Sequence, residues 1–294
     1  MKLSKAPESI TRFKEIAVKY NEDTAELFNK LTPAERVFTY YLFRASLPGN
    51  RIAADQHHRH SLEVINLFKS IHSNKHKLKQ HKKQLAKQNI NFDTFIADAE
   101  TFLVYLWTNH GQYFRREQAN EKRTPERLGL TSLTPQSLTT VLTLLDVANA
   151  QQQIEKLTTT IFDTKTETTC TIPNSITKSA ANMYGPGFTD QDYEKVPVAQ
   201  RNKLNAYFYL DSSGTPQSIT YSSEGKYGQE LQVAAHWLTK AYEHARLHPQ
   251  HFDKHFVKSL DYLVAFVTTG DEELFKKHSI EWLQSSSRLD YNFG

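Results

Sequence analysis

The sequence predicts an α+β protein that consists of a mostly helical lobe with a small antiparallel β portion. Apolar residues recur at the three- and four-residue spacing of amphipathic helices in the first half of the chain and again in its last third. In the region 149–223 this spacing gives way to segments rich in threonine, β-branched and aromatic residues. We therefore expect three consecutive parts: a helical part at 1–148, a β-containing insert at 149–223 and a helical segment at 224–294.

The helical parts rest on caps and apolar spacing. Thr32, Pro33 and Glu35 form the pattern of a capping box with proline at the first helical position, so a helix should begin there. Later segments with one apolar stripe begin at Val64, Phe92, Leu231 and Phe252. Each of these segments should form an amphipathic helix with one buried face.

The β portion is clearest between Ala206 and Tyr221, where two runs of β-prone residues flank the turn sequence Asp-Ser-Ser-Gly-Thr-Pro. These residues should form a hairpin. The threonine-rich stretch from Thr158 to Thr171 also favours strands or an irregular edge. A turn should follow at 184–188, before a helix cap at 189–192.

Charge and composition narrow the classes of partner. The chain has 36 basic and 32 acidic side chains, so its net charge of +4 exerts little general attraction on nucleic acid or anionic membrane. The stretch from Lys69 to Lys87 has seven lysines and no acidic residue, but it lacks the aromatic residues and arginines of nucleic-acid sites. We expect a solvated helix face there. Cys170 has no second cysteine to pair with, and the start of the chain lacks the apolar run of a secretory signal, so we expect a cytoplasmic protein.

The chain has 13 histidines but no His-Glu-x-x-His segment, the commonest helical zinc motif of hydrolases. Histidines four residues apart occur at His72/His76, His244/His248 and His251/His255, and a cluster occurs at His57, His58 and His60. None of the pairs has the intervening glutamate. We expect solvated or capping histidines on helix surfaces and no zinc site in this chain, although an adventitious metal ion could still bind to such a pair.

Three segments carry a family resemblance: Tyr40–Arg51, Phe102–Tyr113 and Thr269–Gly294. The first is a tyrosine-rich helix that leads into Leu-Pro-Gly, and the second is an aromatic helix that ends in Trp-x-Asn-x-Gly. The third resembles the stretch that leads into a Gly-Phe-Ile-Glu sequence. Together, in this order and at this separation, they resemble the dipeptidyl-peptidase III family of zinc peptidases over most of the chain.

The resemblance implies an enzyme that releases dipeptides from the amino terminus of oligopeptides, with two lobes around a cleft. The family holds zinc with a His-Glu-x-x-Gly-His helix and a later Glu-Glu-x-Arg-Ala helix, and neither motif occurs in this sequence. We therefore expect this chain to be a truncated amino-terminal lobe that binds substrate and is inactive without the missing catalytic lobe. Its β portion would line the cleft and receive the peptide as an added strand.

The resemblance also implies which residues bind the substrate. Asp290 matches the family's acidic residue that holds the substrate ammonium, and Asn292 matches a polar position that touches the substrate backbone. Asn109, Gly111 and Tyr113 match a turn that borders the cleft. Residues from about Arg288 onward should then lie against strands of the region 158–221, or at an exposed apolar face. Two alternatives stay open: a free-standing helical binding module without enzymatic activity, and a nucleic-acid-binding protein that uses the lysine-rich stretch.

Overall fold

The computed structural model of the protein describes residues 24–114, 121–164, 176–178, 181–201, 203 and 205–291. Within these residues most of the chain is helical, and two small antiparallel sheets have two strands each. The predicted α+β class, with a mostly helical fold and a small antiparallel β portion, is confirmed.

The chain divides into two compact units that are interleaved along the sequence, whereas the sequence predicted three consecutive parts. In the described residues, the central unit contains 53–182, and the terminal unit contains 24–52 together with 183–291. Helix α1, Pro33–His57, contributes residues to both units. Each unit has its own core, so each is described by itself.

The central unit is built from helices around one apolar core. Its elements are α2 Ser61–Ser73, α3 Lys75–Gln80, α4 Lys82–Lys87, α5 Phe92–Asn109, β1 Tyr113–Phe114, β2 Glu121–Lys122, α6 Pro135–Leu144, α7 Ala150–Phe162 and a 3₁₀ turn Ile176–Lys178. Strands β1 and β2 pair in antiparallel register, with Tyr113 opposite Lys122. In the core, the rings of Phe68 on α2 and Phe102 on α5 meet edge to face with their centroids 4.8 Å apart.

The expectation of strands from Thr158 onward is wrong for residues 158–162, which belong to helix α7. Ile154, Leu157 and Ile161 are buried at helical spacing, and α7 packs against α6. The Thr158 hydroxyl donates a hydrogen bond back to the Ile154 carbonyl at 2.7 Å, which lets a threonine-rich turn stay helical. Tertiary packing thus overrides the β propensity of threonine, which is the weaker effect.

The lysine-rich stretch forms α3 and α4 with the end of α2, and short breaks occur at Asn74 and His81. Its apolar contribution to the core is one fully buried residue in every seven: Ile71, Leu78 and Leu85. Most of its lysines are exposed. The predicted solvated face is therefore present on this stretch.

The terminal unit is also built mainly from helices. They are α1, with α8 Asp190–Lys195, α9 Val198–Arg201, α10 Gly228–Arg246, α11 Lys254–Thr269 and α12 Glu272–Gln284. The predicted capping box is confirmed at the start of α1, because the Thr32 amide donates to Glu35 Oε2 at 2.8 Å and the Glu35 amide donates to Thr32 Oγ1 at 3.3 Å. A second predicted cap, Thr189 with Asp192, is confirmed at the start of α8.

The predicted hairpin is confirmed as β3, Ala206–Leu210, and β4, Pro216–Thr220. In its antiparallel register Ala206 lies opposite Thr220 and Leu210 lies opposite Pro216. The Asp211 carboxylate closes the turn, since its Oδ1 accepts from the Ser213 and Thr215 amides at 2.9 Å each. Residues such as Asp and Ser favour this geometry locally, which is why the sequence alone could indicate it.

Candidate functional site

Asp290 is an exposed carboxylate near the end of the described chain, in the segment that follows α12. Its Oδ1 accepts hydrogen bonds from the Trp282 indole Nε1 at 2.6 Å and from the Tyr291 amide at 2.7 Å. Within the described residues, no hydrogen bond reaches Oδ2. The carboxylate is therefore oriented by α12 and still has one oxygen for a cation from solution.

The backbone on both sides of Asp290 is held by the terminal unit. Leu289 and Tyr291 pack against the apolar cluster of α1, α10 and α11. The Tyr291 ring meets Phe256 edge to face at 5.2 Å, and its hydroxyl lies 2.6 Å from the Ser259 hydroxyl. Burial raises the pKa of Tyr291, so this hydroxyl stays protonated. These contacts of Leu289 and Tyr291 hold the backbone on both sides of Asp290 in place and so set the direction in which its side chain points.

The expectation that residues from Arg288 onward lie against strands is wrong for 288–291, which lie against helices α1 and α11 instead. The physical reason is the alternation of apolar and exposed residues in this segment. Leu289 and Tyr291 face the apolar cluster, and Arg288 and Asp290 are exposed. Such a segment can bury its apolar side chains against helices as well as against a sheet. Asn292, the other substrate-binding position expected near Asp290, lies outside the described residues.

Asn109, Gly111 and Tyr113 lie at and just after the end of α5 in the central unit, whereas Asp290 belongs to the terminal unit. The Asn109 side chain donates to the Tyr105 carbonyl at 2.9 Å and so finishes the last turn of the helix. His110 then adopts a left-handed conformation with φ 55°, and the Gly111 amide donates to the Leu106 carbonyl at 2.9 Å. This is the C-terminal arrangement that ends many helices.

Gly111 and Tyr113 are both buried, so neither borders an open surface of the central unit. A Cβ placed on Gly111, whose φ is 151°, would lie 2.7 Å from Ser61 Oγ and 2.9 Å from His57 Cδ2. The Tyr113 ring centroid is 5.6 Å from those of His57 and His58. The structure thus brings these two predicted positions into contact with histidines that the sequence did not connect with them.

These contacts define a buried polar group, which we call the histidine cluster. Its members are each less than 5% exposed: His57, His58, Ser61, Gln112, Tyr113 and Lys122. The expectation of solvated histidines is therefore wrong for His57 and His58. The His58 Nδ1 accepts a hydrogen bond from the His60 amide at 3.0 Å.

The cluster also terminates helix α7. Gln112 Nε2 donates to the Thr160 carbonyl, and Lys122 Nζ donates to the Thr159 carbonyl at 3.0 Å. The Thr159 carbonyl also accepts from the Asp163 amide at 3.2 Å, so the Lys122 bond adds a second partner there, whereas the Gln112 bond satisfies a carbonyl of the last turn. Ser61 Oγ and Gln112 Oε1 are buried and have no hydrogen-bond partner among the described residues.

The structure also bears on metal binding and on membrane spans. Across the described parts of the chain, no group of three or more histidine, cysteine, aspartate or glutamate side chains could hold a metal ion. In the same parts, none of the helices combines the length and apolarity that a bilayer span requires.

Comparison with known proteins matches one family model. The model is described as a protein of unknown function, DUF1643, and it matches residues 50–138. This range contains all of the histidine cluster but neither Asp290 nor Trp282, and it is less than a third of the 294 residues. No curated protein matches the chain.

Proposed function

We propose that this chain is the substrate-binding lobe of a zinc-dependent dipeptidyl peptidase that releases dipeptides from the amino terminus of oligopeptides. The observation that carries the proposal is the Asp290 carboxylate, which is exposed, oriented by the Trp282 indole and open at Oδ2. Further support comes from the three segments that resemble the dipeptidyl-peptidase III family.

The chemistry of the reaction explains why such a carboxylate is needed. An enzyme that counts two residues from a free amino terminus requires a fixed anion at a set distance from the bond it cleaves. The charged ammonium of the substrate forms a charge-assisted hydrogen bond with that anion, and this contact places the scissile bond. Under the proposal Asp290 positions the substrate and takes no part in proton transfer.

The remaining parts of the proposal concern what this chain does not supply. Zinc would be held by a catalytic lobe outside the chain, and the chain alone would be inactive. The partners would be the oligopeptide and that lobe, with no nucleic acid and no membrane, in the cytoplasm. Asn292 and Asn109 stay proposed as substrate contacts on the family resemblance alone, and the buried Gly111 and Tyr113 stay proposed only as parts of the turn next to Asn109.

The test uses an enzyme in which this chain is joined to a zinc-binding lobe. Asp290→Asn should lower kcat/KM for dipeptidyl arylamides roughly ten- to a hundredfold, because a charge-assisted contact is worth about 1.5–3 kcal/mol. Asp261→Asn is the matched control, since Asp261 is an exposed carboxylate on α11. A normal kcat/KM for Asp290→Asn, or an equal loss in both variants, would remove Asp290 from the site.

A second measurement addresses the activity itself. The 294-residue chain alone should release no dipeptide at any zinc concentration, and the joined protein should release dipeptides only from peptides with a free amino terminus. Release of dipeptides by the isolated chain would contradict the proposed division of labour. Equal cleavage of acetylated peptides would contradict the role of the ammonium.

The alternative of a non-enzymatic helical binding module has one observation in its favour. Large apolar side chains are exposed along one side of α1, between 39% and 57% of each: Val37, Tyr40, Phe43 and Leu47. Exposed apolar stripes of this kind often mark protein contacts. An inactive joined protein that still binds another protein through this stripe would favour the module over the peptidase.

A further inference from the structure

Helices α1 and α10 of the terminal unit lie side by side, and three contacts fix their register. These contacts are Arg51 Nη1 with Glu230 Oε1 at 2.7 Å, the Arg44 guanidinium with the centre of the Trp237 ring at 4.3 Å, and His244 Nε2 with the Ala34 carbonyl oxygen at 2.8 Å. Residue numbers fall along α1 as they rise along α10, so the two helices are antiparallel. The register places Val233 level with Leu47.

This register joins the exposed apolar side chains of both helices into one surface, which we call the two-helix face. On α1 they recur every three or four residues and therefore share one side of the helix. The members are Val37, Tyr40, Phe43 and Leu47 on α1, with Val233 and the partly exposed Trp237 on α10. The rings of Tyr40 and Trp237 meet edge to face with their centroids 5.9 Å apart. From Val37 to Leu47 the face is about 15 Å long, which is nearly three helical turns.

The middle of the two-helix face has the composition and order of a protein contact. Tryptophan, tyrosine and arginine supply most of the binding energy at such contacts. Here the Arg44 guanidinium lies over the Trp237 ring, and its Nη1 donates to the Tyr40 hydroxyl at 2.9 Å. These bonds hold three large side chains in place before a partner arrives, so less conformational entropy is lost on binding.

The face carries positive charge that no carboxylate of the described residues neutralises. Arg44 binds the Tyr40 hydroxyl and Lys240 Nζ lies 6.0 Å from the centre of the Trp237 ring, but neither cation forms an ion pair within the described chain. Between Glu35 and Asp55, α1 has no acidic residue. A complementary surface is therefore apolar and negatively charged.

The glutamates of α10 leave this charge unbalanced. Glu230 already pairs with Arg51. Glu243 follows Trp237 by six residues, which places it about 120° around the helix and away from the face. The positive charge of the face is thus available to a partner.

Two other occupants fit the face less well. A second copy of the chain would set two positively charged faces against each other, which costs free energy. A bilayer accepts an apolar face whose cations lie at the border. Arg44, however, lies inside the apolar stripe, between Val37 and Tyr40 around the helix, so insertion would take its charge out of water.

We propose that the two-helix face binds an amphipathic helix of a partner protein. Apolar side chains of that helix at positions i, i+4 and i+7 would pack on Tyr40, Phe43 and Leu47, and this spacing fits a face of nearly three turns. Flanking aspartate and glutamate side chains would pair with Arg44 and Lys240. The proposal goes beyond the peptidase function, because it uses no residue of the Asp290 site.

The experiment selects helices on the full 294-residue chain. A displayed library of helices of about 15 residues has leucine at i, i+4 and i+7, with flanking positions randomised among glutamate, lysine and glutamine. The selected helices should be enriched in glutamate at these flanks. A library that yields no binder, or one enriched in lysine, would overturn the proposal.

Variants then locate the contact. A synthetic peptide with the selected sequence should bind at least about tenfold more weakly to Phe43→Ser and to Lys240→Glu than to the wild type. Ile280→Ser is the control for Phe43→Ser, because the two side chains are 55% and 57% exposed. Arg246→Glu is the control for Lys240→Glu, because Arg246 is exposed on the opposite side of α10 from Trp237. Equal losses in variants and controls would overturn the proposal.

Two further measurements on the same proteins decide against the other occupants. Sedimentation equilibrium should give the same monomer mass for the wild type and Phe43→Ser, and a dimer that Phe43→Ser disrupts would overturn the proposal in favour of a second copy. Vesicles of phosphatidylserine should not bind the chain through this face. Vesicle binding that Phe43→Ser abolishes would overturn the proposal in favour of a membrane. Circular dichroism should show the same helix content in all variants, since each changes a side chain at the surface.

Discussion

The Arg288 guanidinium donates to both carboxylate oxygens of Glu35, a residue 253 positions earlier in the chain. The Nε to Oε1 distance is 3.0 Å. The Glu35 side chain is only 3% exposed, whereas that of Arg288 is 60% exposed. Because Glu35 also caps α1, one buried carboxylate joins the start of that helix to the segment that carries Asp290.

Arg288→Ala should lower the free energy of unfolding more than a substitution of an unpaired surface arginine does, because the buried Glu35 carboxylate loses its charged partner. The exposure of Arg288 keeps the loss below that of a fully buried pair. Chemical denaturation measures the free energy of unfolding. Arg246→Ala is the control for an exposed arginine, and it should change this free energy by no more than about 0.5 kcal/mol. Equal effects of the two substitutions would mean that the ion pair adds no stability.

The same carboxylate makes stability depend on acid. The Arg288 hydrogen bond is the main cause that lowers the pKa of Glu35 from 4.5 to about 2. A group with a lowered folded-state pKa stabilises the fold above its unfolded pKa and loses this contribution as the pH falls. Stability should therefore decline between about pH 4.5 and pH 2, and Glu35→Gln should show a smaller decline. Identical pH profiles for the wild type and Glu35→Gln would contradict this assignment.

Asp253 should be a second acid-sensitive junction. Its Oδ1 caps α11 by accepting from the His255 and Phe256 amides at 2.8 and 2.9 Å, and its Oδ2 accepts from the Ser286 amide at 2.6 Å. Burial acts to raise the pKa of Asp253, but the hydrogen bonds outweigh burial and hold the pKa well below its ordinary value. This carboxylate thus connects the start of α11 to the segment after α12.

Asp253→Asn should remove the negative charge but keep the helix cap, because asparagine is also a good N-cap residue. Near pH 7 the variant should have a free energy of unfolding about 1–2 kcal/mol lower than that of the wild type. This difference should shrink as the pH falls through the pKa of Asp253, because the wild type then loses its charge-assisted hydrogen bonds and the variant has none to lose. Asp261→Asn on the surface of α11 is the control and should change little. A loss that is constant with pH would show that the charge contributes nothing.

Gly111→Ala should destabilise the central unit by about 1–3 kcal/mol, because the new methyl group would meet Ser61 and His57 at a φ that alanine disfavours. Gly49→Ala is the opposite control: Gly49 lies inside α1, and nothing is within 4 Å of its missing Cβ. That substitution should stabilise the helix by about 0.5–1 kcal/mol. Thermal unfolding of both variants measures the difference, and a harmless Gly111→Ala would contradict the close packing of the histidine cluster.

Trp282→Phe should weaken the positioning of Asp290 in the joined enzyme, because the indole N–H that orients Oδ1 is lost. We expect kcat/KM to fall about two- to tenfold, as for the loss of one ordinary hydrogen bond. The preference for free over acetylated peptides should fall with it, which a purely structural role of Trp282 would not cause. Trp107→Phe, at a tryptophan of α5 that is 48% exposed, is the control and should leave both quantities unchanged.

The sequence predicted only part of the candidate site. Asp290 could be selected through the family resemblance, but Trp282 is eight residues away and carries no signal that it would orient a carboxylate. Likewise, nothing in the pattern around Gly111 indicated that Ser61 and His57 would contact it. Contacts of this kind depend on where helices cross, and a linear pattern does not contain that information.

The sequence by itself determined the elements whose causes are local. The capping box at Thr32 and Glu35, the cap at Thr189 and the hairpin turn around Asp211 each depend on residues within a few positions of one another. Apolar spacing likewise determined which segments are helical and which face of each is buried. These features follow from backbone hydrogen bonding and helical periodicity, which act over one or two turns.

Tertiary structure alone decided the rest. It kept residues 158–162 helical through packing on α6, buried His57 and His58, and joined Arg288 to Glu35. Each outcome is a compromise between local preference and the burial of apolar surface among elements distant in sequence. Burial contributes more free energy than local preference does, and which residues are buried is decided only when the helices pack.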